Sequence, residues 1–110
     1  MSSASSTPII VVLTTLAADT DAVAFGRTLI EEKLAACVNV MPTMTSIYRW
    51  QGHIEDAREQ QVIIKTTADR IAALEARLRT LHPYEVPEFV LLSPAAASDA
   101  YGAWVRESVR

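Results

Sequence analysis

The tightest constraint on this chain is a strand too long for the domain around it. AACVNV, then TSIYRW, read as one strand from Ala36 to Trp50, rich in β-branched and aromatic residues. At about 3.3 Å per residue it runs roughly 50 Å. Gln51-Gly52 signals a tight turn, and QQVIIKTT returns as the partner. The intervening EDAREQ has helix-forming residues, but TSIYRW needs a pairing strand across Gly52, so strand is assigned there too. The covering helix, Asp21 to Leu34, spans only about 20 Å at about 1.5 Å per residue. The hairpin therefore overhangs its own domain, and a second copy of the chain is the nearest source of cover.

The remaining elements follow from periodicity. PIIVVLTT, opening at Pro8, is a buried strand. Asp19, Thr20 and Asp21 offer N-caps to a helix whose apolar stripe is Ala22, Phe25, Leu29, Ile30 and Leu34. Pro42 bends or bulges the second strand. Asp69 caps a second helix with Ile71, Leu74, Leu78 and Leu81 as its stripe, Glu75 four before Arg79, and Pro83 as its stop. PEFVLLS is a fourth strand, and Tyr101, Trp104 and Val105 mark a final helix. The order β-α-β-β-α-β plus a helix predicts an α+β, ferredoxin-like antiparallel sheet with helices on one face. Residues 1–7 are expected to be a flexible tail and residues 8–110 a single domain.

What the chain lacks excludes several functions. Ten basic against thirteen acidic residues, a net charge of −3, give nothing that draws it to nucleic acid. Its three glycines, Gly26, Gly52 and Gly102, form no phosphate-binding loop. Acyl or phosphoryl transfer on this topology would need an anion-cradling loop after the first strand. That loop is LAADTD, without glycine or arginine, so a non-enzymatic role is expected. One cysteine excludes an internal disulfide and fits a reducing compartment. With no basic N-terminal region and no apolar run long enough to span a bilayer, cytoplasmic location without membrane insertion is the expectation.

A few residues carry candidate chemistry. His82, Glu85 and Glu88 fall within seven residues on a proline-stiffened stretch, a plausible set of donors for a divalent ion. A helix-capping histidine beside solvated acids is the plainer reading. Cys37 is a small strand hydrophobe, or a soft copper ligand if partners reach it. Lys65, charged in an apolar strand, and Tyr84 are candidates to line a ligand cleft. Tyr48, Trp50 and Trp104 lack the basic surroundings of RNA-stacking platforms and read as interface residues. His53, beside the turn, is expected to be exposed.

Five strings resemble the CutA divalent-cation tolerance family in order and spacing: LAACVNVMP (Leu34 to Pro42), SIYRWQG (Ser46 to Gly52), IIKTT (Ile63 to Thr67), HPYEVPE (His82 to Glu88) and YGAWV (Tyr101 to Val105). The resemblance runs from about Ile9 to Val105. It implies a ferredoxin-like fold, a tight homotrimer built through long hairpins, and architectural kinship with PII signalling proteins. It also implies tolerance to copper and other divalent ions, with no agreed catalytic reaction. Some copper-associated members carry a cysteine after the first strand, where this chain has Thr14. The alternatives are a PII-like sensor of a small anionic ligand held between subunits, and a trimeric scaffold for other proteins.

Overall fold

Nine residues, Ile9–Ala17, form β1, an inner strand of the sheet. The structure, a computed structural model, describes residues 7–82 and 84–110. Residues 1–6 of the expected tail, and Pro83 with its expected helix-stopping role, lie outside the described residues. Thr7, also assigned to the tail, is held: its carbonyl accepts from Arg106 Nε at 2.8 Å.

After β1 come α1 (Ala22–Glu31), β2 (Cys37–Trp50) and β3 (His53–Thr67). A 3-10 turn (Ala68–Arg70) leads into α2 (Ile71–Leu81), followed by β4 (Val90–Leu92) and α3 (Asp99–Ser108). The strand order is β2-β3-β1-β4 and each neighbouring pair is antiparallel. This is the ferredoxin-like α+β sheet expected from the element order.

Strand alternation sorts the side chains into two faces. Val12 and Leu16 of β1 and Val62 and Ile64 of β3 are fully buried in one cluster with Phe25 and Leu29 of α1 and Leu74 and Leu78 of α2. On the other face α3 and the residue that ends it seat Val105 and Val109 against Ile9 and Ala36. The sequence leaves that whole face for another copy to cover; α3 in fact caps one end of it.

Two elements are shorter than expected. α1 ends at Glu31, not Leu34, because Lys33 adopts a left-handed conformation (φ 57°). Lys33 N–H then reaches Ile30 O and Leu34 N–H reaches Leu29 O, each at 3.0 Å, the paired bonds of a Schellman end. Leu34 is thereby folded back into the core. β4 has only three residues, which pair with Val11–Leu13.

The hairpin is as long as the sequence demands. Gln51 (φ 50°) and Gly52 (φ 82°) both lie in the left-handed region, the signature of a type I′ turn whose twist matches the strands it joins. EDAREQ is strand, and the register shifts between Val40 and Thr43, around Pro42. The molecule measures 52 × 27 × 24 Å, and the hairpin tip carries Ile47 and Ile54 at 74% and 72% exposure.

The contact between α1 and β2 is set by Gly26. A Cβ there would meet Val38 Cγ1 at 2.9 Å and Val38 Cβ at 3.2 Å, and Val38 is a short, stiff side chain. Gly26→Ala should therefore destabilise the domain by about 1–2 kcal/mol, although alanine is the better helix former. A lowered urea midpoint with an unchanged slope would bear this out; a raised midpoint would mean that the helix moves freely over Val38.

Candidate functional site

Where the helix-covered core ends and the bare hairpin begins, the sheet carries a cleft of about 600 Å³. β2 contributes Met44, Ser46, Tyr48 and Trp50 to it, and β3 contributes Glu59 and Gln61. These share one face: Met44 lies opposite Glu59 and Tyr48 opposite Glu55, so alternate residues of both strands point the same way. The far wall is the segment after α2, with Tyr84, Glu85 and Glu88 among its lining residues.

The polar groups are interlocked. The Tyr84 hydroxyl donates to Glu59 Oε2 at 2.8 Å, and Glu59 is only 8% exposed. Gln61 Nε2 donates to Glu88 Oε2 at 2.9 Å and to Thr14 O at 2.6 Å, tying the loop to β1. The ion pairs Arg77–Glu32, Arg79–Glu75 and Arg110–Glu107 lie elsewhere. Among the described residues none reaches Glu59, Glu85 or Glu88, and none lining the cleft is Lys, Arg or His. Desolvation, then the adjacent Glu59 carboxylate, push the Tyr84 phenol up to about 12, because both disfavour a phenolate there.

His82 takes a different part from the one its sequence position suggests. It is buried, and its Nε2 lies 2.5 Å from Thr15 O, an atom that can only accept. Its Nδ1 accepts from the Tyr84 amide at 3.2 Å. Both nitrogens of a neutral ring are thus engaged, and in this geometry neither offers a lone pair to a metal. His82 fastens the start of the loop to β1 and packs its ring against Tyr84, 4.6 Å between centroids.

The other expected site residues divide in the same way. Tyr84, Glu85 and Glu88 come together in the cleft with Tyr48 and Trp50. Lys65 does not join Tyr84: it lies four residues along β3 from Gln61, with Nζ 2.7 Å from Asn39 Oδ1. Cys37 pairs with Lys65 across the ladder, its Sγ 3.8 Å from Asn39 Oδ1, outside the cleft. Trp104 stacks near Tyr101 on α3, 5.6 Å between centroids, and is exposed, as is His53 at the hairpin turn. Among the described residues no group of three or more His, Cys, Asp or Glu converges in a way that could hold a metal.

Glu59 and Gln61 were missed from sequence. Their signal was a pair of polar residues two apart at the start of an apolar strand, hence on one face.

A ferredoxin-like domain with one overlong hairpin, and an acidic, aromatic-walled cleft at the hairpin's root, defines the class of protein. The sequence profile of the CutA1 divalent ion tolerance protein matches residues 10–108, and the chain belongs to that family. It is 44% identical over 98 residues to a divalent-cation tolerance protein CutA of Thermus thermophilus, covering 89% of this chain and 95% of that one. A CutA homolog of Xenopus laevis is 44% identical over 91 residues, 83% of this chain, but the chain spans only 60% of that relative. The solved divalent cation tolerance protein (Cut A1) of Thermus thermophilus superposes with a TM-score of 0.87 at 43% identity, covering 91% and 97% of the two chains.

The raised Tyr84 pKa makes a prediction. An unfolded tyrosine loses its proton near 10, whereas the folded one keeps it to about 12. Tyr84 therefore contributes stability that is fully present below pH 10 and lost as pH rises from there through about 12. Urea midpoints at pH 9 and pH 11.5 should fall further for the wild type than for Tyr84→Phe. Equal falls would mean that Tyr84 titrates as a free phenol.

Proposed function

We propose that this chain acts as a non-enzymatic homotrimer in tolerance to divalent cations, copper included, in the cytoplasm. The observation that carries the cation part is the cleft itself: Glu59, Glu85 and Glu88 face one space with no cationic side chain lining it. A potential of one sign in a low-dielectric hollow concentrates counter-ions. The relative from Thermus thermophilus is named a divalent-cation tolerance protein, which supports the same reading. Because one chain assembles no three-donor group among its described residues, the reading requires further donors from a neighbouring copy. Glu85 and Glu88 are the first donors on this side, with His82 holding the loop that carries them. Cys37 would contribute a thiolate only to a second, separate site.

The hairpin supports the trimer. Ile47, Tyr48, Trp50 and Ile54 stand exposed on a ribbon that no helix among the described residues covers, and Tyr101 and Trp104 are exposed on α3. An isolated two-stranded ribbon is marginal in water, so cover from neighbours is required for a stable tip. No helix among the described residues is long and apolar enough to cross a membrane. An anion-sensing function of the PII type draws no support from Lys65, which is bonded to Asn39 away from the cleft.

Sedimentation velocity at micromolar concentration should give a single trimeric species, and Trp50→Ala should shift it toward smaller species with a lower Tm. Truncating a buried interface aromatic costs about 2–4 kcal/mol. A folded monomer in the wild type would sink the assembly reading. Calorimetric titration with copper should show saturable binding that weakens about tenfold in Glu88→Gln, while magnesium at the same concentration competes poorly. Copper affinity indifferent to that substitution would put the cation elsewhere.

A further inference from the structure

We propose that the cleft between the hairpin and the Tyr84–Glu88 loop, at the seam with the neighbouring copy that covers the ribbon, is a binding site for a small organic ammonium ion. The inference rests on the cleft being a cation site, as above, but names a different kind of cation from a metal.

The first argument is size. A cleft of about 600 Å³ falls within the range of small-molecule sites, roughly 300–1,000 Å³, and would leave a lone metal ion mostly surrounded by water. The second is the chemistry of its walls. Tyr48, Trp50 and Tyr84 supply aromatic surface beside the aliphatic Met44 and Val86. An alkylammonium meets both requirements of such a wall, apolar contact and attraction of its charge to ring faces. A hydrated metal ion meets neither. Anions are disfavoured by three carboxylates with no positive partner lining the same space.

The third argument is that the carboxylates are held in place with acceptor capacity to spare. Glu59 uses Oε2 for the Tyr84 hydroxyl and Glu88 uses Oε2 for the Gln61 amide. Among the described residues no donor reaches Oε1 of either. Both donors are neutral, and no ion pair among the described residues reaches either carboxylate. N–H groups of a primary ammonium suit these oxygens, and a quaternary head suits the rings without them. Burial, then the Glu59 carboxylate, hold the Tyr84 phenol protonated up to about 12; of the two, only the carboxylate attracts a cation.

The test uses the intact protein and two probes, tetramethylammonium and putrescine, titrated by calorimetry, with sodium acetate as the anion control. Saturable binding of at least one ammonium is expected, with no acetate heat. Binding should weaken at least tenfold in Glu59→Gln. Glu59 is buried, so Glu85→Gln, on an exposed residue, is measured beside it and should weaken binding several-fold with an unchanged Tm. No saturable binding of either probe overturns the proposal, and means that a neighbouring chain fills the cleft or that it stays wet. Binding unaffected by both substitutions overturns it as well. Copper is titrated in parallel to separate the two readings. Copper binding without ammonium binding removes this inference and leaves the metal role standing, whereas ammonium binding without copper binding does the reverse.

Discussion

The β2–β3 ladder is the interaction on which the rest of the molecule depends. It runs from Cys37 opposite Lys65 to Trp50 opposite His53, with one break in register around Pro42. Below that break the ladder belongs to a core: Val38 and Val40 pack on the cluster that buries Val62 and Ile64. Above it the side chains of β2 are mostly exposed, and the ribbon is held by its backbone bonds and a few cross-strand contacts such as Arg58 to Thr45 at 3.5 Å. The rooted half gives the free half its direction. A tight I′ turn keeps the two strands from splaying at the far end.

At the change from covered to bare sheet, glutamines do the fastening. Gln60 turns to the helix face, where its amide donates to Ala17 O and Thr20 O, each at 3.1 Å, and so fixes the turn that leads into α1. Gln61 turns to the opposite face and ties the loop through Glu88. Two adjacent residues on one strand thus anchor opposite sides of the domain. His82 completes the set by joining the end of α2 to β1 through Thr15. The loop wall of the cleft is therefore fixed at both ends, one hydrogen bond network to each.

Much of this was legible in sequence, and the reasons differ by element. The hairpin was readable because its signals are local: β-branched runs, a Gln-Gly turn and a proline at the bulge. Asp21 was readable as a cap, and its carboxylate accepts from the Ala24 amide at 3.0 Å. The end of α1 was not, since a lysine in the left-handed conformation has no compositional mark where glycine would. The role of His82 was not either. Its neighbours in sequence suggested ligation, while its bonding partner, Thr15, lies 67 residues away and is set only by the docking of α2 on the sheet. Glu85 and Glu88 were found because they adjoin a conspicuous histidine. Glu59 was passed over because EDAREQ looks like ordinary surface charge until the sheet register buries one of its members.

That burial bears on what the cleft is for. A carboxylate 8% exposed, bonded to a phenol and no cation, is a poor choice if stability alone governed the position. Thr14, on the other face of the same sheet, is another departure: it is fully buried and its hydroxyl has no partner among the described residues. The two differ in kind. The Thr14 hydroxyl is sealed in the helix-covered core, where nothing from solution can reach it. Glu59 opens onto a cleft, where an arriving positive charge would offset the cost of its desolvation and add its binding energy to the folded state. A misfit at the edge of a cleft can be relieved by a ligand; one in the core cannot. On the proposed reading, the carboxylate row at the hairpin's root is therefore the place in this fold where local stability and function pull in different directions.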